Sequence, residues 1–179
     1  PAELAVPSIF NALAHPVSAL WAGIDDDSAR AEALRAITET AFAARQLLGT
    51  PEVDEFRVRA LAATARAAKV LDQNPMGLHH KVAHLVGGAL QLPHALLHSI
   101  LLPHSLRTIR EEAPEVYAAI HEAFRMADPA AFVYDGLRRV GVATGLRGLS
   151  VSQDELEALI AEMPEAESLL RGAWLGVDE

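Results

Sequence analysis

Apolar residues recur three and four positions apart along nearly the whole chain, and that period suits helices and little else. Val53, Phe56, Ala60, Ala63, Ala67 and Val70 step at 3-4-3-4-3 spacing, while Arg57, Arg59, Arg66 and Lys69 mostly face away. Leu34, Ile37, Ala41 and Leu48 mark one face of an earlier segment. Hydrophobic residues make up 51% of the 179 and aromatic ones only 5%. Ala and Leu therefore supply the core, and strand-favouring residues are scarce. The expected fold class is all-α, a helical bundle forming a single domain over residues 1–179.

Local signals divide the chain. An apolar helix is expected from about Ile9 to Trp21. Asp25-Asp26-Asp27 makes a loop whose last carboxylate caps the helix ending at Gly49. Thr50-Pro51 reads as a cap followed by proline at the first helical position. Further helices are expected over Met76–Leu90, over Ala95–Arg110 with a bend at Pro103, and over Glu115–Met126. Asp128-Pro129 starts a helix from Ala130 to Arg139, Ser152 and Glu155 form a capping box, and a last short helix ends near Trp174. No strand, repeat or low-complexity stretch stands out.

The formal net charge of −9 argues against nucleic-acid binding, which needs a basic face, and favours a soluble cytoplasmic protein. Without cysteine there is no disulfide framework and no thiolate metal site. Gly87-Gly88, Gln91, Pro93, His94 and His98 interrupt the apolar run from Leu85 to Leu102, so no membrane span is expected there or elsewhere. The opening Pro-Ala-Glu-Leu-Ala-Val lacks the basic start of a signal peptide.

Six of the eight histidines fall between residues 79 and 104. His80 and His84 are one helical turn apart on one face, and His94 follows a Leu-Pro break. Asn11 and His15 repeat the four-residue spacing upstream. The segment from Met76 to Leu90 has almost no charged face, which predicts a buried helix. A lone buried histidine is usually a hydrogen-bonded core residue, but several in one segment each need a partner. His79 points about 100° from His80 and is expected to face out or to cap. His104 and His121 are expected at the surface, and His98 is open to either reading. Gly87-Gly88 is either a close packing contact or a place where a cofactor approaches. Three imidazoles and one oxygen suit Zn²⁺ or Fe²⁺, although an asparagine oxygen is a poor fourth ligand. Clustered imidazoles can also stabilise charge on a substrate oxygen and deliver a proton without metal.

Gly77-Leu78-His79-His80-Lys81, His84, Gly87-Gly88, Leu92-Pro93-His94-Ala95 and His98 together resemble the signature of the iron-containing alcohol dehydrogenase superfamily, in particular its maleylacetate reductase branch. Asn11-Ala-Leu-Ala-His15 matches as well, with asparagine where most of the superfamily has aspartate. Leu149–Val151 and Leu169–Trp174 resemble the turn before the family's penultimate helices and its last helix. The resemblance implies the helical C-terminal domain of a dehydroquinate synthase-like enzyme. It places Asn11, His15, His80 and His94 at metal-ligand positions. His84 stands beside the nicotinamide and the substrate and shares the catalytic role with His80. Gly87 and Gly88 join His84 on the cofactor side, and His79, Lys81 and His98 lie toward the substrate.

The implied reaction is NADH- or NADPH-dependent reduction of a small molecule, maleylacetate to 3-oxoadipate, as in aromatic-compound catabolism. Another carbonyl substrate is the alternative within the family. Reductases of this branch often work without metal, which fits Asn11, and the family often forms homodimers. Two departures remove charge near the expected substrate: Ser18 stands in place of glutamate, and Leu96-Leu97 in place of Glu-Thr. No glycine-rich phosphate loop follows a strand. The N-terminal dinucleotide-binding α/β domain is therefore expected elsewhere in the same protein or on a partner chain, and this chain alone is expected to be inactive. The Ile9–Leu20 helix and Leu96–Leu102 are the candidate faces for that half. The competing expectation is a non-catalytic helical module retaining the histidines as a metal-binding or structural remnant.

Overall fold

α5, His94–Glu112, is the helix around which the others assemble. Every residue from Leu97 to Leu106 is buried. A stretch buried on every side needs neighbours all round, and α5 is packed by α1 (Ala2–Ala22), α4 (Leu78–Leu90), α6 (Pro114–Phe124), α7 (Pro129–Arg139) and α9 (Glu167–Leu175). α2 (Asp27–Gly49) and α3 (Asp54–Gln73) close over the other side of α1, and α8 (Gln153–Glu162) leans on α9. The computed structural model describes residues 1–50 and 53–176, and there is no strand among them.

α1 is longer than the apolar pattern suggested, beginning at Ala2 rather than near Ile9. Pro7 and Pro16 both lie inside it. Each removes a backbone donor, at a cost of roughly 3 kcal/mol in an isolated helix. Burial of Ile9, Phe10, Leu13, Val17 and Leu20 in the core offsets that loss. By length and composition α1 could span a membrane, contrary to the sequence expectation, yet 67% of its most apolar window is buried inside the fold. Here it serves as a core helix.

The caps follow local chemistry closely. Asp26, not Asp27, caps α2 by accepting from Ala29 N at 2.7 Å. Asp128 caps α7 with Pro129 at its first position. The Ser152–Glu155 capping box opens α8. Thr50 ends α2 and Val53 precedes α3, so α3 starts at Asp54; Pro51 lies outside the described residues. Arg66 on α3 reaches Glu32 and Glu39 on α2 at 2.6 and 2.8 Å, joining the two helices.

One close approach fixes where α4 begins. A Cβ on Gly77 would lie 2.5 Å from the Ser18 carbonyl oxygen, and the Gly77 N–H donates to Ser18 Oγ at 3.2 Å. Only glycine lets the start of α4 press onto α1 there. At its other end α4 stops at Gln91, which adopts the left-handed conformation with φ 54°, and the chain turns back into α5. Those two constraints bring α1, α4 and the first turns of α5 together at one place.

Candidate functional site

The place where α1, α4 and α5 meet holds six histidines in one continuous cluster. Ring centroids step from His15 to His80 at 5.4 Å, His80 to His98 at 4.7 Å, His98 to His94 at 4.3 Å and His94 to His84 at 6.2 Å. His79 lies 5.4 Å from His80 and 5.1 Å from His98. The cluster has a floor and a rim. His79, His80 and His98 are buried, His15 is half-buried, and His84 and His94 are exposed.

Several expectations change with this arrangement. α4 is only half enclosed: Lys81, His84 and Gly88 face out, so the helix is not a buried one. Its outer face carries one charge, Lys81, and is exposed. His79, expected to face out or to cap, does neither and is fully buried because α5 covers that side of α4. His104 is also buried, at 3% exposure, beneath Gly172 of α9. His98, open to either reading from sequence, is fully buried. The helix Ile9–Leu20 and Leu96–Leu102 are mostly core rather than bare faces; Leu97 to Leu102 are fully enclosed. A Cβ on Gly88 would meet nothing within 4 Å, and one on Gly87 would meet only Leu97 at 3.4 Å. Packing within the chain therefore does not demand the glycine pair. His121 sits on α6 away from the cluster, 3.1 Å from the Ala127 carbonyl oxygen.

Electrostatics keeps the floor neutral. Burial, with the nearby His94 adding repulsion, pushes the His15 pKa down to about 4. Burial, then His15, His84 and His94, pushes His80 down to about 3. Burial is also the main cause holding His79 and His98 far below the usual imidazole range. A proton placed on one ring would be poorly solvated and would face its neighbours. Neutral imidazoles are what both metal ligation and neutral hydrogen-bond donation require.

The free polar atoms show which residues could hold a ligand. Asn11 Oδ1, His15 Nδ1 and both ring nitrogens of His80 are buried without a hydrogen-bond partner. Such orphans are rare unless a ligand, ion or water completes them. His79, His80 and His98 also bring ring nitrogens within 4.8 Å of one another, a spacing compatible with a metal ion. His79 is the weak member of that trio. Its Nδ1 lies 2.7 Å from Ser105 Oγ and its Nε2 lies 3.0 Å from His98 Nδ1, so both nitrogens are already engaged. Asn11, His15 and His80, with His94 at the rim, are the better-fitting donors. Ser105 was missed from sequence, although it lies seven residues after His98 and so two turns along the same face.

Comparison with known proteins agrees with this architecture. Residues 5–171 match the family described as Fe-containing alcohol dehydrogenase family, C-terminal. A maleylacetate reductase of Pseudomonas knackmussii is 31% identical over 99% of this chain and 52% of its own length. The crystal structure of maleylacetate reductase from Agrobacterium tumefaciens superposes with a TM-score of 0.86 at 30% identity, covering 100% of this chain and 55% of that one. An iron-containing alcohol dehydrogenase from Corynebacterium glutamicum gives 0.83 at 26% identity, over 99% and 54%. The chain thus spans about half the length of the relatives it matches. By sequence along nearly its whole length, and by its helical fold, the chain belongs to the Fe-containing alcohol dehydrogenase family, corresponding to that family's C-terminal domain.

Proposed function

We propose that this chain is the substrate-bearing half of an NAD(P)H-dependent reductase acting on maleylacetate or a close relative, in the cytoplasm. The observation that carries the reading is the graded cluster, with buried neutral imidazoles at its floor and the exposed pair His84 and His94 at its rim. Such a cluster is suited to one open face of a site whose other face is a dinucleotide-binding domain. The maleylacetate reductase relatives supply the substrate class.

Asn11, His15, His80 and His94 would hold a divalent ion such as Fe²⁺ or Zn²⁺, which when bound polarises a substrate oxygen. The chain's own residues can do much of the work. A bound nicotinamide would supply hydride to the alkene carbon β to the ketone, and the negative charge would then collect on the ketone oxygen as an enolate. A neutral His80 N–H can donate to that oxygen without surrendering its proton. His84, at the exposed rim, would stand beside the nicotinamide and the substrate and return a proton to the α-carbon, completing 3-oxoadipate. Gly87 and Gly88 next to it leave room for the cofactor. Lys81, exposed one turn before Leu85, adds positive charge near a dianionic substrate.

NADH oxidation with maleylacetate tests this. The 179-residue chain alone is expected to give none. The same chain preceded by an α/β dinucleotide-binding domain should turn over, and His84→Ala should lower kcat by about a hundredfold or more, the usual worth of a positioned proton donor. Turnover by the chain alone overturns the half-site reading. A joined protein that folds, binds NADH and still leaves maleylacetate untouched overturns the substrate assignment. Elemental analysis of protein purified without added metal reads the ion directly.

A further inference from the structure

Ser105, His79 and His98 form a buried chain of two hydrogen bonds running from the interior of α5 into the histidine cluster. All three side chains are fully enclosed. Two proton arrangements satisfy such a chain. In the first, the Ser105 O–H donates to His79 Nδ1, the His79 Nε2–H donates to His98 Nδ1, and His98 keeps its own proton on Nε2. In the second every donor is reversed, and His98 Nε2 carries a lone pair.

Ser105 decides between them. Other hydroxyls on α5 find backbone acceptors: Ser99 donates to the Leu96 carbonyl at 2.7 Å and Thr108 to the His104 carbonyl at 3.1 Å. Among the described residues Ser105 has no acceptor other than His79 Nδ1. The reversed arrangement would strand the serine proton in the dry interior and also leave His98 Nε2 an unmet acceptor. The first arrangement leaves one unmet donor, the His98 Nε2–H. That atom is buried and without a partner in the chain. It lies on the side of the ring away from His79, among His80 and His94. Buried polar groups favour the arrangement with fewer losses.

We propose that Ser105 and His79 lock His98 as its Nε2–H tautomer, reserving it as a hydrogen-bond donor to a substrate carbonyl or carboxylate oxygen and withholding it from metal. His79 and Ser105 are positioning residues in this account, and the enclosed His98 Nε2–H would meet a substrate oxygen where the exposed His94 ring, 4.3 Å away, turns aside from it. A locked Nε2–H has no lone pair to offer an ion, so His98 stands apart from His15 and His80 despite its proximity. The donor role rests on the reductase reading above; the tautomer does not.

Long-range ¹H–¹⁵N correlation spectra of the ¹⁵N-labelled, metal-free 179-residue chain at neutral pH read the tautomers without any turnover. Both His79 and His98 are expected to carry their proton on Nε2. A His98 proton on Nδ1 overturns the proposal. Ser105→Ala should introduce a second His98 population protonated on Nδ1, and a single unchanged form in that variant overturns the locking role. Added Zn²⁺ should leave the His98 Nε2–H in place, whereas its transfer to Nδ1 would make His98 a ligand and sink the assignment. Saturating maleate, as a dicarboxylate probe, should shift the His98 Nε2–H proton, and an unmoved proton overturns the donor role. If the tautomer holds while the joined protein fails to reduce maleylacetate, the substrate assignment is what fails.

Discussion

Burying His104 under α9 links the stability of the fold to pH. Its ring is 3% exposed, its Nε2 has no partner, and burial, with a smaller push from Arg107, brings its pKa down to about 4. In the unfolded chain the same imidazole titrates near 6.5. Between those values the unfolded state holds a proton that the folded state lacks, so stability is full above about 6.5 and is lost as pH falls toward 4. The slope from one such group approaches about 1.4 kcal/mol per pH unit. His104→Gln should remove roughly that much of the slope, leaving what His15, His79, His80 and His98 add. Urea unfolding at pH 7 and pH 5 measures it, and an unchanged slope in the variant would refute the linkage. At this scale the sequence was legible where geometry is local. The His80–His84 and Asn11–His15 spacings follow from the helical period alone. His79 and His104 were misjudged because their burial comes from α5 and α9, which lie beyond their sequence neighbours. Ser105 carried no signal until His98 was known to face inward.

Helix ends were more legible than helix surroundings, because a cap involves residues three or four apart. Ser152 is the clearest case. Its Oγ accepts from Glu155 N at 3.3 Å, while Glu155 Oε2 accepts from Ser152 N at 2.8 Å. The hydrogen bonds from Ser152 hold the Glu155 carboxyl below its usual range. Ser152→Ala removes the serine half of that exchange and should cost about 1 kcal/mol. A variant with an unshifted urea midpoint would show the box to be dispensable. The cost should reach beyond α8, since the adjoining Val151 carbonyl accepts from Trp174 Nε1 at 2.8 Å and so ties the entry of α8 to α9. Prolines were harder to read. The expected first helix began near Ile9, whereas α1 begins at Ala2 and runs through Pro7 and Pro16. Only tertiary burial explains why a helix continues through two prolines.

For the whole molecule, all-α architecture followed from composition and period, but the exposed rim proposed above to face a second domain did not. The long apolar stretches looked like bare faces and are core; the exposed rim is the polar pair His84 and His94 beside Gly88. A surface that closes over a reacting substrate needs polar groups at its centre, so hydropathy alone could not find it. This gives the molecule an accessibility pattern that a reagent can read. Diethylpyrocarbonate acylates exposed neutral imidazoles, and peptide mass spectrometry locates the adducts. In the chain alone His84 and His94 should react well before His79, His80 and His98. Placing the dinucleotide-binding domain ahead of Pro1 should slow His84 and His94 while leaving the partly exposed His121, on α6 away from the cluster, as an internal reference. Saturation with NADH should slow His84 further, because the nicotinamide would then lie against it. Unchanged rates at both rim histidines in the joined protein would mean that the second half docks elsewhere, and the cluster would have to be reassigned as a closed structural feature of the helical domain.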